Sequence, residues 1–230
     1  MKIVGNESLY KRNAQIALIA NLGGMLLLVG AVFVLFSSQG PLGRYFLFLL
    51  GGMLLVQVGL FFGRWNKRPD LALDRALKSL DDSYTLYHHQ TPIQHLLVGP
   101  SGLWILLPKH TSGTITYNKD KQRWEQPGGN IFRRVWKRYS QESLGRPHFE
   151  AMIEAGLLDQ LLEKHWDAQE PVHVQAAVVF LADEVEVQAG DAPFPAVHVK
   201  KLKGVITRGE AEGKLSKAQL KQLNAIFSRS

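Results

Sequence analysis

Basic and aromatic side chains are mixed in one short stretch, whose chemistry is the clearest in the chain. Residues 132–139 read Phe-Arg-Arg-Val-Trp-Lys-Arg-Tyr. Cationic groups neutralise phosphates or carboxylates, and aromatic rings stack on bases or lie at a lipid interface. The stretch predicts a surface for anionic lipid, an acidic protein patch or single-stranded nucleic acid. Its candidate binding residues are Arg133, Arg134, Trp136, Lys137 and Arg138.

The charge distribution also points to this stretch. The formal net charge of the chain is +7. From residue 64 onward, 23 Lys/Arg and 19 Asp/Glu leave an excess of 4, and residues 131–148 alone hold 5 Lys/Arg against 1 Glu. One local surface, rather than the whole domain, is therefore expected to bind anions.

The 8 histidines do not form a metal-binding motif. His88 and His89 are adjacent and would face opposite ways in a strand, and the chain has no His-Glu-x-x-His. The absence of cysteine fits a reducing compartment and excludes thiolate metal sites. No phosphate-binding glycine loop or nucleophile elbow is present. We expect neither a metal nor a cofactor.

Two apolar segments precede these residues and indicate a membrane anchor. Residues 14–36 and 45–63 contain no charge, and each is about as long as the ~20 residues that a helix needs to cross a bilayer. Because neither contains Asp, Glu, Lys, Arg or His, an anchor is favoured over a transporter. The connector 37–44 holds one cation, whereas others flank the outer ends of the spans: Lys2, Lys11, Arg12, Arg64, Lys67 and Arg68. The positive-inside rule then predicts a multi-pass protein of the cell membrane with both termini cytoplasmic.

Both apolar segments contain Gly-Gly-Met-Leu-Leu, which predicts close packing between the two helices. Folding the chain back at the connector places Gly30 opposite Gly52. Gly23 then lies opposite Gly59. Two amides at similar depth are expected to hydrogen-bond to each other, which gives the packing set Gly23, Gly30, Gly52, Gly59, Asn21 and Gln57.

Alternating helix and strand signals follow the anchor and predict an α/β domain with a mixed sheet. A helix is expected after Pro69, and another runs from Pro147 to about Trp166. The stripe of the second helix is Phe149, Ile153, Leu157 and Leu161. Ser216 and Gln219 form a capping box for the last helix. Strands are predicted at 84–89, 93–98, 103–107, 114–117, 122–125, 172–181, 185–187 and 197–199.

One strand–turn–strand segment resembles a known family. Residues 95–109 read His-Leu-Leu-Val-Gly-Pro-Ser-Gly-Leu-Trp-Ile-Leu-Leu-Pro-Lys, with Gly-Thr-Ile at 113–115. This resembles the core of the nuclease-related domain (NERD) family, whose core is similar to the restriction-endonuclease fold. The resemblance extends over about 71–227. It implies a restriction-endonuclease-like domain at 69–230, after a two-span anchor at 1–68.

The resemblance implies a fold but argues against the family's reaction, which is metal-assisted phosphodiester cleavage. An Asp and a Glu hold Mg²⁺ in that chemistry, and a Lys positions or activates water. Gln94 stands where the family has Asp, and Leu107 stands where it has Glu. Only Lys109 matches the pattern. We therefore expect no catalytic residues among Gln94, Leu107 and Lys109.

These features favour a non-catalytic, membrane-anchored nuclease-like domain that acts as a binding or assembly module at the cytoplasmic face. It would be an accessory subunit of a larger membrane complex. The expected partners are the lipid bilayer and a membrane or membrane-proximal protein, with nucleic acid less favoured. One alternative is a tethered metal-dependent nuclease with an unorthodox site around Asp74, Gln94 and Lys109. The other is a nucleic-acid binder without cleavage.

Overall fold

The computed structural model describes residues 1–37, 42–63, 67–126, 144–166, 172–209 and 215–228. They form two compact units: a helical unit, Asn6–Arg68, and an α/β unit, Met1–Gly5 with Pro69–Ser230. The first five residues of the predicted 1–68 anchor therefore belong to the α/β unit. The predicted binding residues Arg133, Arg134, Trp136, Lys137 and Arg138 lie outside the described residues.

The helical unit is a hairpin of α1 (Glu7–Phe36) and α2 (Leu42–Gly63), both long and apolar enough to cross a membrane. The side chain of Asn6 accepts a hydrogen bond from the backbone N–H of Leu9, which caps α1. Glu7 in the first turn pairs with Arg68 at 2.7 Å. The Arg68 guanidinium also lies 4.5 Å from the ring centroid of Tyr10.

The two helix backbones come close together at Gly24 and Gly52. A Cβ at Gly24 would lie 2.9 Å from the carbonyl oxygen of Gly52. A Cβ at Gly52 would lie 3.0 Å from that of Gly24. Only glycine fits at these positions without moving the opposite backbone. The buried face of α1 continues through small residues, at Ala17, Ala20 and Ala31.

Gly24, which was not in the predicted packing set, lies opposite Gly52, and the predicted Gly23 does not face Gly59. A Cβ at Gly23 would make only an ordinary 3.5 Å contact with Leu55. Gly30, expected opposite Gly52, faces the ring of Phe48 instead, with 3.1 Å available to a Cβ. Spacing of seven residues does not say which of two adjacent glycines faces the partner helix.

The amide of Asn21 also differs from its predicted place. It packs directly on Gly59, two residues beyond the predicted partner Gln57. Gly59 leaves room there for the Asn21 side chain, since any Cβ would overlap it. The polar group is therefore accommodated by the absence of a side chain on α2.

The α/β unit contains a six-stranded mixed sheet in the order β1-β2-β3-β4-β7-β9 and a three-stranded sheet in the order β6-β5-β8. Strands β2, β3 and β4 are antiparallel, whereas the β1–β2, β4–β7 and β7–β9 pairs are parallel. The structure confirms the predicted α/β class with a mixed sheet. The strands are β1 (Lys2–Gly5), β2 (Thr85–His88), β3 (His95–Gly99), β4 (Gly102–Lys109), β5 (Gly113–Asn118), β6 (Arg123–Glu125), β7 (Val174–Phe180), β8 (Val185–Gln188) and β9 (Ala196–His198).

Among the described residues, four helices cover the two faces of the large sheet: α3 (Pro69–Leu77), α4 (Pro147–His165), α5 (Leu202–Gly209) and α6 (Lys217–Phe227). Side chains of β4 alternate between the faces. Ile105 and Leu107 join a hydrophobic cluster with α4 and α6, and Trp104 and Leu106 join one with α3 and α5. The predicted capping box of α6 is present.

The buried face of α4 is not the predicted one. Phe149, Ile153 and Leu157 are exposed, and Ile153 retains 64% of its accessible surface. The face toward the sheet is instead lined by Ala151, Glu154, Leu158 and Leu162. Both faces of this helix are apolar, so periodicity could not distinguish them. One of the residues that the helix does bury is an acid.

Candidate functional site

Lys109 lies at the end of β4, where its side chain meets the first turn of α4. Its Nζ atom donates to both carboxylate oxygens of Glu150, at 2.6 and 2.7 Å. The Lys109 side chain is 13% exposed, so water screens this ion pair only partly. Gly145, with φ +68°, precedes the helix and leaves room for the pair: a Cβ there would lie 2.9 Å from Glu150 Oε1. The lysine therefore already has a carboxylate partner.

Leu107 lies two residues earlier on the same face of β4 and is part of the hydrophobic core. It is 3% exposed and belongs to the cluster that α4 and α6 cover. Gln94 immediately precedes β3, and its backbone carbonyl accepts the N–H of His89. Its backbone also hydrogen-bonds to the Glu154 carboxylate. Gln94 and Lys109 thus lie near Glu154 and Glu150, whereas Leu107 contributes only to the packing of the core.

Glu154 is the most perturbed acid of this group. It is 7% exposed, and its Oε2 atom has no hydrogen-bond partner within the described residues. Burial raises the pKa of Glu154 to about 7, and the charge of Glu150 adds to the rise. The Gln94 backbone bond and the Lys109 charge oppose it. Near neutral pH a substantial fraction of this carboxyl is therefore protonated in the folded state.

Asp74 is held on the opposite face of the sheet by a buried histidine. Its Oδ1 atom is 2.9 Å from Nε2 of His88. Nδ1 of His88 is in turn 2.7 Å from Nδ1 of His95. If His88 donates to Asp74 through Nε2, it accepts at Nδ1 from His95, which leaves both rings neutral. Asp74, on α3, therefore does not join Lys109, which packs on α4.

The histidine cluster also includes His89, against the expectation that neighbouring histidines face opposite ways. His89 follows the end of β2 and has φ +52°, so the chain bends and its ring centroid lies 5.1 Å from that of His95. Burial lowers the pKa of His89 to about 4 and that of His95 well below its ordinary value. The positive charge of His88, when protonated, would lower both further.

Comparison with known proteins agrees with the strand–turn–strand resemblance. Residues 68–181 match the model of the nuclease-related domain family, NERD. This match covers just under half of the chain and shows that the region is similar to nuclease-related domains. The matched region contains α3 and the strands β2 to β7. It also contains the group around Lys109, Glu150 and Glu154 and the cluster of Asp74 with the three histidines. Neither a curated protein nor a solved structure matches the chain.

The residues of the matched region do not fit the Mg²⁺ that the chemistry of the nuclease-related domain family implies. Leu107 offers no ligand atom where an acid is needed, and Gln94 has a neutral side chain. Glu150 is already paired with Lys109, and Glu154 is buried with a raised pKa. Among the described residues, no group of three or more histidine, aspartate or glutamate side chains is arranged to hold a metal ion.

Sequence reasoning missed the two acids of α4. Glu150 and Glu154 are four residues apart on a predicted helix, a pattern typical of a solvated face. The sequence did contain a clue to them. Gln94 and Leu107 stand where the family has acids, so Lys109 lacks its expected carboxylate partner. A search for replacement acids on the next helix would have found Glu150.

Proposed function

We propose that the chain is a non-catalytic nuclease-like module, anchored to the membrane, that binds or assembles other components at the cytoplasmic face. It would serve as an accessory subunit of a larger membrane complex. The observation that carries this proposal is that the residues at the family's reactive positions have structural roles. Leu107 is a core side chain, and Lys109 forms an ion pair that stabilises the junction of β4 and α4.

The fold is proposed to be restriction-endonuclease-like. Support comes from the order of elements in the matched region: α3, three antiparallel strands β2 to β4, the strands β5 and β6 of the small sheet, then α4, then β7. β7 pairs in parallel with β4, from Leu103 beside Val174 to Lys109 beside Phe180. Leu107 and Lys109 therefore lie on a central strand of the sheet, β4, and Gln94 immediately precedes the neighbouring strand β3.

The binding surface is proposed to be the basic stretch at 131–148, with anionic lipid or a membrane-proximal acidic protein as its partner. The excess charge of the domain is concentrated there. A short connection between α2 and α3 keeps the domain near the proposed anchor, which favours membrane components over bulk nucleic acid.

Full-length protein in mild detergent is expected to leave single- and double-stranded DNA and RNA intact with Mg²⁺ or Mn²⁺. The physical reason is that no acid remains at the positions that hold the ion. Gel analysis of labelled substrates checks this, with Lys109→Ala and Glu154→Gln as matched variants. Cleavage that both variants abolish would contradict the proposal and establish a tethered nuclease, with a site that uses Lys109 and the α4 acids instead of the predicted Asp74, Gln94 and Lys109. Salt-dependent DNA binding without cleavage would instead establish the nucleic-acid binder.

The proposed topology predicts opposite labelling of two exposed serines. A cysteine at Ser37, at the end of α1, should react with an impermeant maleimide added to intact cells, because the connector faces outward. A cysteine at Ser228, after α6, should react only after the cells are opened. The chain has no native cysteine, so there is no background. Labelling of Ser228→Cys in sealed cells would contradict a cytoplasmic domain.

A further inference from the structure

Strand β1 belongs to the α/β unit although it precedes both apolar helices in the chain. It pairs in parallel with β2, from Lys2 beside Thr85 to Gly5 beside His88. Val4 packs against the hydrophobic cluster that α4 and α6 cover. These contacts make β1 an edge strand of the sheet, held by backbone hydrogen bonds and by side-chain packing.

The hairpin is consequently an insertion within the α/β unit and not an extension added before it. A single residue, Asn6, separates β1 from α1. At the other end, residues 64–68 lead from α2 to α3. The chain thus leaves one folded unit, makes the hairpin and returns to the same unit.

One buried ring connects the two places where the hairpin joins the α/β unit. His88 is the strand partner of Gly5, the last residue of β1. Its Nε2 atom is 2.9 Å from the Asp74 carboxylate, on the first helix after the hairpin. The ring is 2% exposed and contacts His95 of β3 through its other nitrogen. A hydrogen bond to a carboxylate is shorter and stronger than one between neutral groups.

We propose that β1 acts as a strap, because its pairing with β2 fixes the start of the hairpin to the sheet. His88 acts as a joint, because it links β2 to α3. β1 and α3 are the elements of the α/β unit that come immediately before and after the hairpin in the chain. Where the hairpin spans a membrane, as the proposed function requires, both of its ends are on one side. The strand pairing itself does not depend on that function.

Disulfide cross-linking of the full-length chain in membranes tests the strap. Lys2→Cys combined with Thr85→Cys places two thiols on paired residues of β1 and β2. Mild oxidation should convert most molecules to an internally cross-linked form, which migrates faster on a non-reducing gel. The matched control combines Lys2→Cys with Gln160→Cys, an exposed residue of α4, and should give no such form. The two single variants report cross-links between molecules.

Absence of an internal cross-link above the Gln160 control, or formation of dimers alone, would overturn the strap. His88→Ala in the Lys2–Thr85 cysteine background tests the joint, and cross-linking is expected to become several-fold slower. An unchanged rate would overturn the role of His88. These readouts are independent of nuclease activity and of sidedness, so failure of the proposed function would leave them interpretable.

Discussion

Gly24→Ala is expected to destabilise the helical hairpin, although alanine is the better helix former by about 1 kcal/mol. The added methyl would lie 2.8 Å from Val56 Cγ2 and 2.9 Å from the carbonyl oxygen of Gly52. Relief requires the helix backbones to separate, and overpacking of this kind costs about 1–3 kcal/mol. The melting temperature of the full-length protein in mild detergent should therefore fall.

Gly43→Ala is the matched control for this substitution. A Cβ at Gly43 meets no atom of the described residues within 4 Å, so the same change should be neutral or stabilising. Gly52→Ala should resemble Gly24→Ala, since it meets the same contact from the other side. Gly30→Ala should have a smaller effect, because its neighbour is the movable ring of Phe48. If Gly24→Ala raises the melting temperature as Gly43→Ala does, the close backbone contact is wrong.

Sequence alone predicted the elements whose signals are strong and local. The uncharged runs predicted two helices long enough to span a membrane, because a buried core helix rarely stays uncharged on every face for such a length. The Ser216–Gln219 capping box predicted the start of α6, since it depends on residues three positions apart. The Gly99–Gly102 turn predicted the β3–β4 hairpin, and Gly102 has φ +100°.

Elements defined by tertiary contacts could not be predicted in this way. The strand β1 has only four residues and lies beside an apolar span, so nothing local distinguishes it from a charged flank. Its partner, β2, is more than eighty residues away in the chain. The helix α5 was missed. The wrong face of α4 was predicted to be buried, since both of its faces are apolar, and Phe149 and Ile153 are in fact exposed. Burial is decided by the neighbouring elements, which periodicity does not contain.

The candidate site was predictable only as far as the family resemblance extends. Gln94, Leu107 and Lys109 were identified from the strand–turn–strand wording, and the structure places Lys109 and the Gln94 backbone near the same acids. Glu150 and Glu154 were not identified, because they come from a helix outside that wording. Their nearness to Lys109 is a consequence of how α4 crosses β4.

Glu154 gives the second large effect, because its burial makes ionisation costly in the folded state. Folding raises its pKa from 4.5 to about 7, so the folded protein holds this proton more tightly than the unfolded chain. The penalty is absent below pH 4.5, grows between pH 4.5 and 7, and stays constant above that. At one pKa unit per 1.4 kcal/mol, it reaches about 3 kcal/mol at most.

Buried histidines have the opposite effect in the same pH range. The lowered pKa of His89, about 4, means that the unfolded chain binds its proton first as pH falls below 6.5. Stability from His89 is therefore complete above pH 6.5 and is lost toward pH 4. The wild-type profile sums both effects, so the contribution of Glu154 is visible only by difference from a variant that keeps the histidines.

Glu154→Gln is therefore expected to gain stability relative to wild type as pH rises from 5 to 8. Glutamine can keep the bond from the Gln94 backbone but cannot ionise, and its amide N–H₂ replaces an unpartnered oxygen. That replacement adds a pH-independent cost, so the test is the slope with pH and not the absolute stability. Denaturant unfolding in detergent at pH 5, 6, 7 and 8 measures it, with the exposed Glu163→Gln of the same helix as control. A difference between Glu154→Gln and wild type that stays flat from pH 5 to 8 would show that Glu154 is ionised without penalty. The acid would then be held as a charged partner of Lys109 rather than as a buried carboxyl.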